Sequence, residues 1–244
     1  MSTQQQTQFE LNEYFPTTAW LDRYQDALNE DEEFIEMSTG WASSWNGDFV
    51  FEILDLPVAN HQVQDLPEEL WTAFEDGITQ LPEDTLRSII DQAPEDIQEN
   101  IEARSGTLHE RAVAEMLETE VVEAPEKVWP GLMNVMPDVL KELMDQLEEN
   151  VTDDANVYAW IGLEDGGCYE TDTLLSLDER DKGFILSADY EQWVALVTGE
   201  LDVVEGIMSG ELELKGDMQK ILQYSDAAIK MTDVAADLDK RFLF

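Results

Sequence analysis

The hydrophobic rhythm changes three times between residues 187 and 231, and each change predicts an element. Trp193, Leu196 and Val197, and then Leu201, Val204 and Met208, recur at three- and four-residue spacing and predict two short helices. Gly199 and Gly210 stand where those helices should end. Residues 211–215, Glu-Leu-Glu-Leu-Lys, alternate with period two, which puts Leu212 and Leu214 on the same side of a strand. Gly216-Asp217 turns the chain, and Asp217 can cap a helix that opens at Met218 and carries Ile221 and Leu222. A last amphipathic helix is expected over residues 224–242, with Tyr224, Ala227, Ala228, Met231, Val234, Leu238 and Phe242 along one face.

Upstream, residues 156–163 and 168–174 have period two and flank Glu164-Asp165-Gly166-Gly167, the signature of a hairpin. Residues 178–182 form a further turn before a strand at 183–186. Near the start, a polar opening (residues 1–8) is expected to fray, and Ala19, Trp20, Tyr24, Ala27 and Leu28 predict a helix over 16–37. Asn46-Gly47-Asp48 is a turn, and Phe49 to Leu54 (FVFEIL) is a β-branched and aromatic strand stopped by Pro57.

Residues 65–150 differ in kind. They carry most of the prolines, several placed to open helices expected over 67–80, 83–92, 94–120 and 125–149, the last interrupted near Pro130 and Pro137. Three similar Pro-Glu starts at irregular spacing do not make a repeat array. The expected architecture is α+β: a five-stranded antiparallel sheet covered by helices, with an all-helical block inserted. The domain reading is one discontinuous unit, 9–64 with 151–244, and a helical insertion at 65–150.

Residues 186–231, with the order helix, TGELD, helix, SGELELKGDM, helix, resemble the closing half of the sterol carrier protein (nonspecific lipid-transfer) domain. The resemblance implies a mixed fold with an apolar tunnel between sheet and helices, which binds fatty acyl, isoprenoid or sterol-like molecules without catalysis. Carried onto this chain, the tunnel falls on Trp193, Leu196, Val197, Leu201, Val204, Met208, Leu212, Leu214, Met218, Ile221 and Leu222. The same apolar stripes also describe a filled core. A non-catalytic interaction module, with the 65–150 block docking a protein partner through residues such as Trp71, Phe74, Trp129, Leu132, Met133 and Met136, is therefore the competing expectation.

Composition adds an environment. Asp and Glu number 56 against 13 Lys and Arg in 244 residues, a formal net charge of -43. The acids are spread through every segment, and such self-repulsion opposes the compact state in dilute buffer. It becomes tolerable where the Debye length shrinks from about 8 Å to about 3 Å, as it does in ~1 M salt. The expectation is a cytoplasmic protein of a salt-accumulating cell. No basic stripe supports nucleic-acid binding, no apolar run reaches membrane-spanning length, and no calcium-loop spacing is present. His61 and His109 belong to no zinc pattern, so neither metal nor cofactor is expected. Cys168 is the one cysteine, and neither a nucleophile elbow nor a phosphate loop occurs, so the reading is not an enzyme. Arg180 and Lys182 are read as turn charges or as contacts for a headgroup.

Dialysis from molar KCl into dilute buffer should cost the chain much of its helical circular dichroism and lower its Tm. An unchanged spectrum and Tm would refute the salt-adapted reading.

Overall fold

The computed structural model describes residues 11–244; residues 1–8, expected to fray, lie outside the described residues. The elements in chain order are α1 (Thr18–Glu30), α2 (Glu32–Met37), β1 (Phe49–Leu54), α3 (Glu68–Thr79), α4 (Glu83–Ile90), α5 (Glu95–Ala103), α6 (Leu108–Leu117), α7 (Pro130–Met133) and α8 (Asp138–Asn150). They continue with β2 (Val157–Glu164), β3 (Gly167–Leu174), β4 (Phe184–Asp189), α9 (Tyr190–Val197), α10 (Val203–Ser209), β5 (Glu213–Gly216), α11 (Met218–Gln223) and α12 (Ser225–Asp237). The chain forms two compact units. One holds Asn12–Leu56 and Glu149–Arg241; the other, among the described residues, holds Leu11, Pro57–Glu148 and Phe242–Phe244. No helix of the described residues is long and apolar enough to cross a membrane.

The first unit is built on a five-stranded sheet of order β3-β2-β1-β4-β5. β1 pairs antiparallel with β2 and parallel with β4, so the sheet is mixed, which corrects the antiparallel expectation. Periodicity reports which face a residue takes, and says nothing of the direction of the neighbouring strand. A parallel partner needs a long crossover, and residues 55–183 supply it. β1 behaves as a central strand should, with Phe49, Val50, Phe51 and Ile53 all buried. At the outer edge of β3, Asn29 and Gln25 of α1 hydrogen-bond the backbone of Cys168, so side chains occupy part of a strand edge that would otherwise be open.

Several expected helices are shorter than their apolar stripes, and polar side chains explain the breaks. Asp31 splits the expected 16–37 helix. Its N–H donates to the Ala27 carbonyl at 3.0 Å, closing α1, while its carboxylate accepts the Phe34 N–H at 2.7 Å, opening α2. Thr107 and Glu110 form a reciprocal capping box that starts α6 and divides the expected 94–120 helix. The last helix ends at Asp237. Lys240 Nζ donates to the Ala236 carbonyl at 2.6 Å, satisfying a terminal acceptor, and Leu238 is extended. Leu238 and Phe242, expected on the helical face, therefore lie beyond it, Phe242 in a two-residue strand.

In the helical unit α6 is the hub, packing on α3, α4 and α5. Phe74, Trp129, Leu132 and Met136 are buried and Trp71 and Met133 half-buried, so they do not form an exposed patch. The Trp129 indole donates to the Ile89 carbonyl at 2.9 Å. Glu115 is buried and meets Arg104 at 2.8 Å and the Asn100 amide at 2.8 Å. A carboxylate in such a place is costly unless paired.

Asp31 also meets Lys230 of α12 at 3.1 Å. Burial works to raise its pKa, but the Phe34 N–H and Lys230 outweigh that and hold it below the usual carboxylate range. A pKa lower in the folded than in the unfolded state gives stability that is complete above the unfolded value and lost as pH falls through the folded one. Asp31→Ala should cost about 1 kcal/mol in urea unfolding at neutral pH. Asp31→Asn, which keeps an oxygen acceptor, should cost less, and both deficits should shrink in acid.

Candidate functional site

One row of side chains crosses the sheet. The register aligns Phe51 with Leu186 of β4, and Leu186 with Leu214 of β5. Together with Phe49 they floor a cavity of about 190 Å³. α10 contributes Val203, Val204, Ile207 and Met208, and α11 contributes Met218, Ile221 and Leu222. α12 adds Ser225, Ala228, Ile229, Met231 and Thr232. The space has a local cause. Ser225, Ala228 and Thr232 recur at i, i+3 and i+7, so α12 turns a stripe of small side chains toward the aromatic floor.

The mouth is apolar. Met208 is 84% exposed and Leu222 71%, and Met218 and Val204 are a little under half exposed. All four line the cavity, so its wall runs continuously onto the surface. Thioether side chains adapt to irregular apolar shapes, and two of them stand at this opening.

Of the positions named from sequence, Val204, Met208, Leu214, Met218, Ile221 and Leu222 line this cavity. Trp193, Leu196 and Val197 line a separate void of only about 20 Å³, among Trp20, Tyr24 and Ile53. That space holds about one water at most, so these three are packed core. The Trp193 indole is fixed to the Glu52 carbonyl at 2.9 Å.

Leu201 and Leu212 border neither space. Leu212 precedes the strand instead of lying in it, because its N–H turns back to the Gly206 carbonyl at 3.0 Å. Gly210, at φ 84°, makes the same turn possible. A Cβ at Gly206 would stand 2.7 Å from the Leu212 side chain and 3.2 Å from that of Leu201, so both leucines clamp the inner face of α10. Phe49, Phe51, Leu186, Val203, Ile207, Ser225, Ile229 and Thr232 are wall positions not anticipated. The alternation in FVFEIL and the i, i+4 pair Val203/Ile207 carried a signal for four of them.

The reactive side chains are held by the scaffold. Each histidine places one ring nitrogen 2.8 Å from a backbone carbonyl, His61 with Pro57 and His109 with Leu81. Arg180 grips Glu170 and Asp172 and lies 4.5 Å over the Trp160 ring, and Lys182 Nζ meets the Leu177 carbonyl. Cys168 is buried in β3 and its thiol points at the Glu170 carbonyl, 3.7 Å away. Burial pushes the thiol pKa up to about 12, and the nearby Asp48 carboxylate adds to the rise. A neutral thiol is a poor nucleophile. Cys168 should therefore resist a disulfide-exchange reagent in the native protein at mildly alkaline pH and react fully in denaturant. Rapid native labelling would contradict this environment.

Comparison with known proteins gives three findings. No curated protein matches the chain. Among solved structures, a crystal structure of sterol carrier protein 2 is similar at 16% identity, covering 90% of this chain and 95% of that one, with a TM-score of 0.45. A solution structure of a conserved hypothetical protein from Thermus thermophilus, described as possibly sterol carrier protein, is similar at 17% identity, covering 92% and 90%, with a TM-score of 0.43. Residues 134–228 match the SCP-2 sterol transfer family, a span that contains β2 to α11 and most of the resemblance read over 186–231. The chain thus carries an SCP-2 sterol transfer family domain over residues 134–228.

Proposed function

We propose that this protein binds a hydrophobic, lipid-like molecule, with the apolar part of the ligand in the cavity between sheet and helices, and carries it through water. The observation behind this reading is a void of about 190 Å³ whose wall is apolar except for two hydroxyl residues and continues onto an exposed apolar rim. Apolar cavities of about 150 Å³ stay dry and take up small apolar guests. A whole drug-sized ligand uses about 300–1,000 Å³. The void therefore holds one segment of the ligand, and the rest lies across the mouth. Each buried methylene contributes about 0.8 kcal/mol, so a chain of several carbons binds without any catalytic group. The name of the matched family, sterol transfer, points the same way.

In this reading Val204, Met208, Leu214, Met218, Ile221 and Leu222 contact the ligand, and the sterol-carrier-like domain spans 9–64 and 151–244 with residues 65–150 as an insertion. A salt-rich cytoplasm is the proposed setting. The burial of Phe74, Trp129, Leu132 and Met136 favours a carrier over a module that docks partners through those side chains.

Native mass spectrometry and organic extraction of protein purified in molar KCl should find a co-purifying lipid. Ala228→Phe, which fills the void from α12, should keep the circular dichroism of the fold and abolish that lipid. Protein that is ligand-free on purification, and that binds no lipid when challenged, would overturn the proposal.

A further inference from the structure

Resting on the carrier reading above, we infer that Met231 sets the length of alkyl chain the cavity accepts. Its side chain is the end wall between the cavity and the smaller void behind it. The two spaces are neighbours: the cavity of about 190 Å³ and the void of about 20 Å³ share Phe51, Met231 and Thr232 as wall residues. That shared wall stands at the inner end. Met231 is 2% exposed, against 84% for Met208 at the mouth.

The order of side chains along α12 places the partition here. Ala228 lines the cavity and Ala235 lines the void, at i and i+7 on one face. Met231 and Thr232 stand between them, and Met231 is the one long side chain of the four. Thr232 is β-branched and stiff, and its hydroxyl donates to the Ile229 carbonyl at 2.7 Å. Phe51 lies in the central strand β1, its ring centroid 5.1 Å from that of Trp193 and 6.0 Å from that of Phe49. The helix backbone is held at the same point, since the Tyr24 hydroxyl donates to the Met231 carbonyl at 3.0 Å. The Met231 thioether chain is thus the adaptable part of the wall, and its length decides where the cavity stops.

The far side of Met231 is as apolar as the near side, with Phe15, Leu21, Ile53, Leu196 and Ala235 around the void. A chain entering from the mouth gains about fourfold in affinity for each methylene it buries. The gain ends where the chain meets Met231. Further methylenes stay outside, across the rim, and add less. Shortening residue 231 joins the two spaces and lets the chain run on toward Trp20 and Trp193.

The test is isothermal titration of the full chain in molar KCl with the straight-chain alcohols from hexanol to dodecanol. In the unaltered protein, affinity should climb about fourfold per methylene and then level off at one chain length. Met231→Ala should leave the shorter alcohols unchanged and carry the climb on for about three more methylenes, the reach of the Cγ, Sδ and Cε it removes. Met231→Val, a milder truncation that serves if the alanine variant is unstable, should move the break the same way but less far. Adding Ala235→Leu to Met231→Ala refills the void and should bring the break back. A break at the same length in the unaltered protein and both truncations would overturn the role of Met231. So would an equal loss of affinity at every length, which is what a purely structural residue would give. Failure of every alcohol to bind the unaltered protein would instead count against the carrier reading itself.

Discussion

Strand β1 has a partner on both edges, and the architecture of its unit follows from that. Its antiparallel bonds to β2 and its parallel bonds to β4 join segments more than a hundred residues apart in the chain. Only this placement brings Phe51, Leu186 and Leu214 into one row. The row makes a broad apolar floor, and water must be kept from it. α10, α11 and α12 cover it, and along one stripe of α12 the lining side chains, Ser225, Ala228 and Thr232, are small. Close packing is the rule in protein interiors, so a void at this point reflects residue size on one helical stripe and not a general looseness. A few ångströms away, the space around Trp193, Leu196 and Val197 is filled.

The charge of the chain is kept away from that interior and is used at helix ends. Asp31, Asp202 and Asp217 each cap a helix through their carboxylates, where the unsatisfied N–H groups and the helix dipole favour an anion. The few cations are shared. Arg180 serves Glu170 and Asp172, Lys230 serves Asp31 and Glu33, and Arg104 serves Glu115 and Glu118. Exposed pairs of this kind contribute little each, and most of the remaining acids have no basic partner to meet. Salt screens repulsion between exposed charges of this kind. The cavity, by contrast, has a wall without formal charge, which gives one molecule two surfaces of opposite character.

Much of the local structure was legible in the sequence. The hairpin that turns at Asp165-Gly166, the N-cap at Asp217, the stop at Gly210 and the break at Pro137 all have short-range causes, since each depends on backbone conformations or hydrogen bonds within a few residues. The family resemblance rested on the same punctuation. Helix lengths were less legible, because Asp31 and Thr107 act as caps inside apolar stripes that otherwise continue. Periodicity measures the face, while a cap ends the helix regardless of the face.

What the sequence determined by itself is therefore the order of helical and strand regions, the apolar side of most of them and the acidic composition. Tertiary structure decided the rest. The parallel partner of β1, the clamp of Leu201 and Leu212 around Gly206, and the division of near-identical apolar stripes into solid core at α9 and open wall at α10 to α12 all depend on what stands opposite. An apolar residue carries the same drive to leave water whether a neighbour meets it or not; the difference between core and cavity lies in the volume of the facing side chain.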